Sequence, residues 1–350
     1  MPHAYFLIPG DIATPTGGYG YTREVLAAMA RSGWRIALEQ LAENLSQPSA
    51  KAAAVQRIAA LPENALVLVD GLALAELADF LESQRERLRL VAVMHHPAAL
   101  ETGLTESRAA VIQRNELRAL RAMRTVVCTS RWTARKLGSL GLTRVPLRIV
   151  EPGVDSGIAL RASGGLRRDA AAAYSSGLRM LCVATVTPRK GHGALVRALA
   201  QVSDQRWSLN CIGSLARAPE HARHIEELIR AHDLQYRITL TGEVGRNALI
   251  DAYAEADLFV LASQLEGYGM VLAEARAAGL PIVATRGGAV GETLAEAAAV
   301  VVEPDSPQAL AAALRGIMTN RSDWLRLAAV ARQGSRAPRQ WDTVAAELAA

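Results

Sequence analysis

Two doubly wound α/β domains are predicted by three features of the chain. Short apolar runs alternate with alanine-rich helical stretches along its whole length, the pattern of parallel sheets covered on both faces. Its 350 residues exceed one common core and suit two domains of about 170 residues each. Between the two alternations lies a segment, 153–177, that is rich in Gly, Ser and charge and has weak periodicity. The domains are therefore set at 1–155 and 156–335, with 336–350 a helix that reaches back to the first.

Each element follows from local pattern. Strands are expected at 4–9, 36–41, 65–70, 90–95, 125–129 and 148–152, with helices over 21–31, 50–60, 73–87 and 106–123. A loop at 10–19 carries Gly17 and Gly18 between the first strand and the first helix, which ends at Gly33. In the second half, strands are expected at 180–185, 208–213, 238–241, 258–262, 282–284 and 300–302. From Gln308 onward the chain reads as helical, broken at Gly334 and Pro338. Open parallel sheets bind ligands beyond the carboxyl ends of their strands, so the chemistry is sought in strand-end loops and in the cleft that two such domains form.

Half the residues are apolar, 21% are charged and only 4% are aromatic, a balance for a packed enzyme rather than a disordered chain. Cys128, Cys182 and Cys211 are scattered through apolar runs and read as buried thiols, neither a disulfide frame nor a metal cluster. The N-terminus carries no basic leader, and no stretch approaches the ~18 uncharged residues of a membrane span. A cytoplasmic protein is expected. Net charge is +5, but residues 107–148 hold ten Arg or Lys against the single acid Glu116. That stretch is either a solvated face or a surface for an anionic partner.

The most informative segment is Glu266-Gly-Tyr-Gly-Met-Val-Leu-Ala-Glu274. It follows a strand and opens a helix that ends near Gly279, before Pro281. Backbone N–H groups from Tyr268, Gly269, Met270 and Val271 face outward at such a start, where the helix dipole favours an anion; a diphosphate fits. A carboxylate about one turn in, Glu274, is placed for ribose hydroxyls, and Glu266 in the loop for the sugar. Lys190, in Pro188-Arg-Lys-Gly191, lies between a strand and a helix, where its ammonium, with the Arg189 guanidinium, can neutralise a departing diphosphate. His95 and His96 end a strand, and a slip of one position would swap which of the two side chains faces inward.

With seven residues between them, Glu266 and Glu274 match the Glu-x7-Glu signature, and EGYGMVLAEARAAGLPIVAT resembles that region of the family 4 retaining glycosyltransferases of the GT-B fold. Further pieces recur in the family's order: TGGY at 16–19, MHHP at 94–97, TSRWTARKL at 129–137, EPGVD at 151–155 and TPRKGHGAL at 187–195. The resemblance covers nearly the whole chain. It implies transfer of a hexose from a nucleotide diphosphate sugar, UDP being the commonest nucleotide, to an acceptor hydroxyl with retention of configuration. It implies that His95, Glu266 and Lys190 are catalytic and that Gly17, Gly18, Arg189, Lys190, Tyr268, Gly269, Met270, Val271 and Glu274 hold the donor. An arginine that commonly precedes the lysine in this family is replaced here by Ala184-Thr185, and Arg189 is its candidate substitute.

No Asp-x-Asp, clustered His/Cys set or Walker loop is read from the sequence, so no metal and no cofactor are expected. Rival readings are a nucleotide-sugar epimerase or sugar phosphorylase on the same fold, and a non-catalytic sugar-nucleotide or membrane-binding module. Arg114, Arg118 and Arg121 share one helix face, which predicts peripheral contact with an anionic membrane and a lipid or lipid-linked acceptor, with a glycan as the fallback. No nucleic-acid partner is expected.

Overall fold

The structure, a computed structural model, describes residues 2–163, 169–295, 297–334 and 338–350. The chain divides into two compact units, 1–153 with 341–350, and 154–340. The sequence placed these divisions at 155/156 and 335/336; residues 335–337 lie outside the described residues.

The first unit runs β1 (His3–Pro9), α1 (Gly17–Arg31), β2 (Arg35–Leu41), α2 (Pro48–Ala59), β3 (Leu66–Asp70), α3 (Gly71–Gln84), β4 (Arg89–Met94), α4 (Glu106–Arg121), β5 (Thr125–Cys128), α5 (Arg131–Ser139) and β6 (Leu147–Ile149). Its strands form a six-stranded parallel sheet in the order β2-β1-β3-β4-β5-β6. Leu7, Val67, Val69, Leu90 and Ala92 pack with Leu74, Leu77, Leu81 and Leu120 into its core. Short polar side chains write the helix starts: Thr16, Asp70, Thr105 and Ser130 each accept a hydrogen bond from a first-turn amide, satisfying donors a helix cannot satisfy itself.

The second unit runs α6 (Ser156–Ser163), α7 (Ala170–Ser176), β7 (Leu178–Val183), α8 (His192–Ala200), β8 (Trp207–Ile212), α9 (Pro219–Ala231), β9 (Ile238–Gly242), α10 (Arg246–Glu255), β10 (Leu258–Leu261), α11 (Met270–Ala277), β11 (Ile282–Thr285), α12 (Val290–Thr293), β12 (Ala299–Val302), α13 (Pro307–Thr319) and α14 (Arg321–Gly334). Its parallel sheet has the order β12-β11-β10-β7-β8-β9. The final helix, α15 (Trp341–Ala349), belongs to the first unit. Its Trp341 packs edge-on against Tyr21 of α1 with ring centroids 5.7 Å apart, and its Asp342 pairs with Arg31 at 2.6 Å.

Three local expectations change. Gly17 and Gly18 form the first turn of α1 rather than a loop, because Thr16 caps the helix there by accepting from the Tyr19 amide. Helices α6 and α7 form inside 153–177, where periodicity was weak; Asp169 caps α7 through the amides of Ala171 and Ala172. Residues 164–168 of that segment lie outside the described residues. Strand β4 stops at Met94, leaving His95 just beyond its end.

Candidate active site

In the second sheet the order reverses between β7 and β10, and the loops following these two neighbouring strands carry Lys190 and Glu266. Such a reversal opens a crevice at the strand ends. Gly191 lets the two loops close: it has φ +69, and a Cβ there would lie 1.9 Å from the Ala262 carbonyl oxygen. The Gln264 amide donates to the Arg189 carbonyl at 2.8 Å, tying the loops together. On the far side the Glu266 amide donates to Gly287 O at 3.2 Å, and the Ala289 amide to Glu266 O at 2.8 Å. Gly288, with φ +64, is required for that approach, since its Cβ would stand 2.2 Å from Glu266 O.

The side chains then meet. Lys190 Nζ donates to Glu266 Oε1 at 2.6 Å, with the two side chains only 16% and 7% exposed. Arg189 Nη1 donates to Leu265 O at 2.6 Å. Burial pushes the Glu266 carboxyl up, but the charges of Lys190 and Arg189 outweigh it and hold the group below the ordinary carboxylate value. Glu266 is thus kept ionised in a desolvated place.

Helix α11 begins beside this pair: Gly269 is its N-cap, and a Cβ on that residue would lie 3.8 Å from Glu266 Cβ. The first amides to find acceptors within the helix are Leu272 and Ala273, both bonded to Gly269 O, so those of Met270 and Val271 have no acceptor inside the helix. Tyr268, expected within the helix start, lies outside it; its carbonyl accepts from the Thr293 hydroxyl, and its ring packs with Val154, Ala273 and Ala277.

Glu274, one turn into α11, accepts the Tyr253 hydroxyl at 2.7 Å. Burial raises its pKa, an effect that the Tyr253 bond opposes and the charge of Asp155 adds to. The two glutamates of the motif are therefore pushed in opposite directions. Tyr253, on α10, was not singled out in the sequence, where nothing local connects it to Glu274.

In the first unit the strand order reverses between β1 and β3, and three residues gather at the strand ends. A Cβ on Gly18 would lie 3.5 Å from His95 Cδ2. His95 Nε2 stands 3.7 Å from Asp70 Oδ2 and has no hydrogen-bond partner among the described residues, while Tyr21 meets the ring edge-on at 5.3 Å between centroids. His96 points elsewhere, its Nε2 paired with Glu101 Oε1 at 2.6 Å. Asp70 is a further member that the sequence analysis passed over; its position at the end of a strand beside β4 is the signal that could have found it. Gly17 lies one residue before, in the first turn of α1.

The basic stretch is less uniform than its composition. Arg118 pairs with Asp79 at 2.7 Å and Glu82 at 2.9 Å, and Arg108 with Glu76 at 2.7 Å, all acids of α3. Arg114, Arg121 and Arg124 are exposed and have no acidic partner among the described residues. Glu116 does not offset this surface, for it is buried and accepts the Ala98 amide at 3.0 Å.

The fold gathers a His/Cys set whose members are separated in the sequence. Cys182, Cys211 and His192, all buried, place their ligating atoms within 4.8 Å of one another. The sequence hides this because strand register and a helix start, not chain proximity, bring them together.

Comparison with known proteins agrees with this architecture. The model of the family "Glycosyl transferases group 1" matches residues 167–334. A D-inositol 3-phosphate glycosyltransferase of Xylanimonas cellulosilytica is 30% identical over 292 residues, 77% of this chain and 67% of that protein. The chain belongs to the glycosyl transferases group 1 family. A GDP-mannose-dependent alpha-(1-6)-phosphatidylinositol monomannoside mannosyltransferase of Mycobacterium tuberculosis is 29% identical over 237 residues, 64% of this chain. The match spans 60% of that relative's length. Sucrose-phosphate synthase from Thermosynechococcus elongatus has the same fold, with a TM-score of 0.82 at 20% identity, covering 100% of this chain and 98% of that one. The fold is the two-sheet GT-B architecture that the sequence predicts.

Proposed function

We propose that this chain is a retaining glycosyltransferase that moves a hexose from a nucleoside diphosphate sugar to an acceptor hydroxyl. The observation that carries the reading is the buried Lys190–Glu266 pair at the mouth of α11. There a cation, helix-start amides and an ionised carboxylate converge, as a diphosphate leaving group and a developing positive charge on the sugar require. Membership of the glycosyltransferase family supports it.

In the proposed reaction the bond from the anomeric carbon to the diphosphate oxygen breaks. The acceptor oxygen bonds to the same face of that carbon, and its proton passes to the leaving phosphate. Lys190, Arg189 and the amides of Gly269, Met270 and Val271 stabilise the departing charge. Glu266 faces the sugar as positive charge develops, and Glu274, held by Tyr253, accepts the ribose hydroxyls. His95, beside Gly18, orients the sugar, with Gly17 and Gly18 bringing amides to the donor. No residue is assigned as a nucleophile, and the transfer itself is assigned no metal.

Two donors lead: a UDP-hexose, UDP being the commonest nucleotide in the family that the sequence resembles, and GDP-mannose, for which the mycobacterial relative is named. A lipid-linked polyol is the proposed acceptor; the arginines of α4 that have no acidic partner among the described residues, and the phosphatidylinositol in that relative's name, support this reading. A thermal-shift panel of UDP, GDP and ADP sugars identifies the donor, because a ligand bound only by the folded state raises the melting temperature. Incubation of the stabilising donor with phosphatidylinositol acceptors, read by product NMR, tests transfer and anomeric configuration. A free epimerised sugar, or a demand for inorganic phosphate, would overturn the transferase reading.

A further inference from the structure

Behind the loop that carries Lys190 lies a group of side chains that glycosyl transfer does not use. Cys182 on β7 and Cys211 on β8 are direct register partners in neighbouring parallel strands, so their side chains emerge on the same face of the sheet. His192 is the first residue of α8 and reaches the same point. The Sγ atoms and an imidazole nitrogen all lie within 4.8 Å of one another.

We propose that Cys182, Cys211 and His192 form a buried binding site for a soft divalent cation of the zinc class. Donor identity fits: zinc sites are built from thiolates at about 2.3 Å and imidazole nitrogen at about 2.0 Å, which separates the donors by roughly 3.5 Å. The present spacing closes to that by small side-chain adjustments.

Burial makes the case stronger than spacing alone. His192 is 2% exposed, and among the described residues its ring nitrogens have no oxygen or nitrogen hydrogen-bond partner, with only the Cys182 thiol beside them. A buried polar group without a strong partner is costly, so a fold that keeps one beside two thiols calls for an explanation. A disulfide between the cysteines would leave the imidazole without a partner, and two free thiols offer it only weak S–H hydrogen bonds, such as the one from Cys182. A divalent cation would give one of its nitrogens a strong partner. Charge agrees, because two thiolates, a neutral imidazole and a dication sum to zero, as the surrounding apolar core demands. Three protein ligands leave the fourth position of a tetrahedral ion to a small exogenous ligand.

The site has a structural consequence. His192 follows Lys190 by two residues, so the cation would tie β7, β8 and the start of α8 together and fix the turn that sets Lys190 against Glu266. The proposal is independent of the glycosyl-transfer reading, since it requires only these three residues and the core around them.

The test uses the full chain, freed of any histidine tag and fully reduced. Zinc content is measured by mass spectrometry after titration and gel filtration, and Co2+ is used as the spectroscopic probe. About one equivalent of metal per chain, a thiolate-to-cobalt charge-transfer band and a rise in melting temperature on metal addition are expected. Cys182→Ser, Cys211→Ser and His192→Ala should each reduce retained metal at least tenfold. The wild-type titration alone decides the matter if a variant does not fold: no retained zinc, or cobalt bound without the thiolate band, overturns the proposal. A cobalt spectrum typical of histidine alone would place the ion on a surface pair such as His221 and His224, which lie 6.4 Å apart by ring centroid, and would also overturn it.

Discussion

Tyr253 holds Glu274: its hydroxyl donates to Oε2 at 2.7 Å across 21 residues of sequence. Removing that donor in Tyr253→Phe leaves a buried carboxyl unmatched. Burial already raises the Glu274 pKa, and loss of the bond raises it further. Stability should fall by about 1–3 kcal/mol. Under the proposed role at the ribose, KM for the donor should rise about tenfold, the equivalent of about 1.4 kcal/mol, with kcat little changed. Denaturant titration and steady-state kinetics check this, and an unchanged KM would remove Glu274 from the donor site.

Lys190 and Glu266 are expected to behave as one unit. Glu266→Gln strands a largely buried ammonium, and Lys190→Met strands a buried carboxylate, each costing about 3 kcal/mol. The double variant should cost less than the two singles together, by about 1–3 kcal/mol. Each single change should also lower kcat by about 100-fold or more, as loss of one preorganised electrostatic group does. Additive destabilisation in the cycle would mean the pair is not coupled in solution.

Glu116 gives the fold a pH dependence. Burial is the main cause of its shift, opposed by the hydrogen bond from the Ala98 amide, and its pKa is raised from 4.5 to about 7. Between these values the folded chain keeps a proton that the unfolded chain has released, so stability falls as pH rises through this window. The loss is about 3 kcal/mol at 1.36 kcal/mol per unit. Glu116→Gln should therefore stabilise the protein by about that amount at pH 8 and change it little at pH 4.5. Urea unfolding of both proteins at the two pH values measures the difference, which must depend on pH.

The proposed membrane contact rests on the arginines that have no acidic partner among the described residues. Substituting Arg114, Arg121 and Arg124 with Gln should weaken binding to anionic vesicles by roughly 100-fold, at about 1 kcal/mol per charge. Arg108→Gln with Arg118→Gln should matter far less, because Glu76, Asp79 and Glu82 already neutralise those guanidiniums. Flotation at low salt distinguishes the two sets, and an unmodified chain that does not float would end the membrane proposal.

Much of the architecture was legible in the sequence because its causes are local. A run such as Leu66–Asp70 makes a buried strand from its own side chains, and Thr105 starts α4 by capping an amide three residues on. The strands of both sheets, the helix after Glu266 and the presence of Lys190 in a strand-end loop could all be read this way. Capping also explains a miss: Thr16 draws Gly17 and Gly18 into α1, which composition alone assigned to a loop.

Partnership was not legible. Lys190 and Glu266 are 76 residues apart, and they meet because β7 and β10 are neighbours at the point where the strand order reverses. Tyr253 reaches Glu274 from another helix, Glu116 turns inward, and Cys182, Cys211 and His192 converge through strand register and a helix start. The sequence alone determined which elements form and which chemical groups the loops carry, since periodicity, capping and turn chemistry act over a few residues. Only the tertiary structure decided which groups face one another and how their charges are set, because both depend on sheet order and burial, properties of the folded chain as a whole.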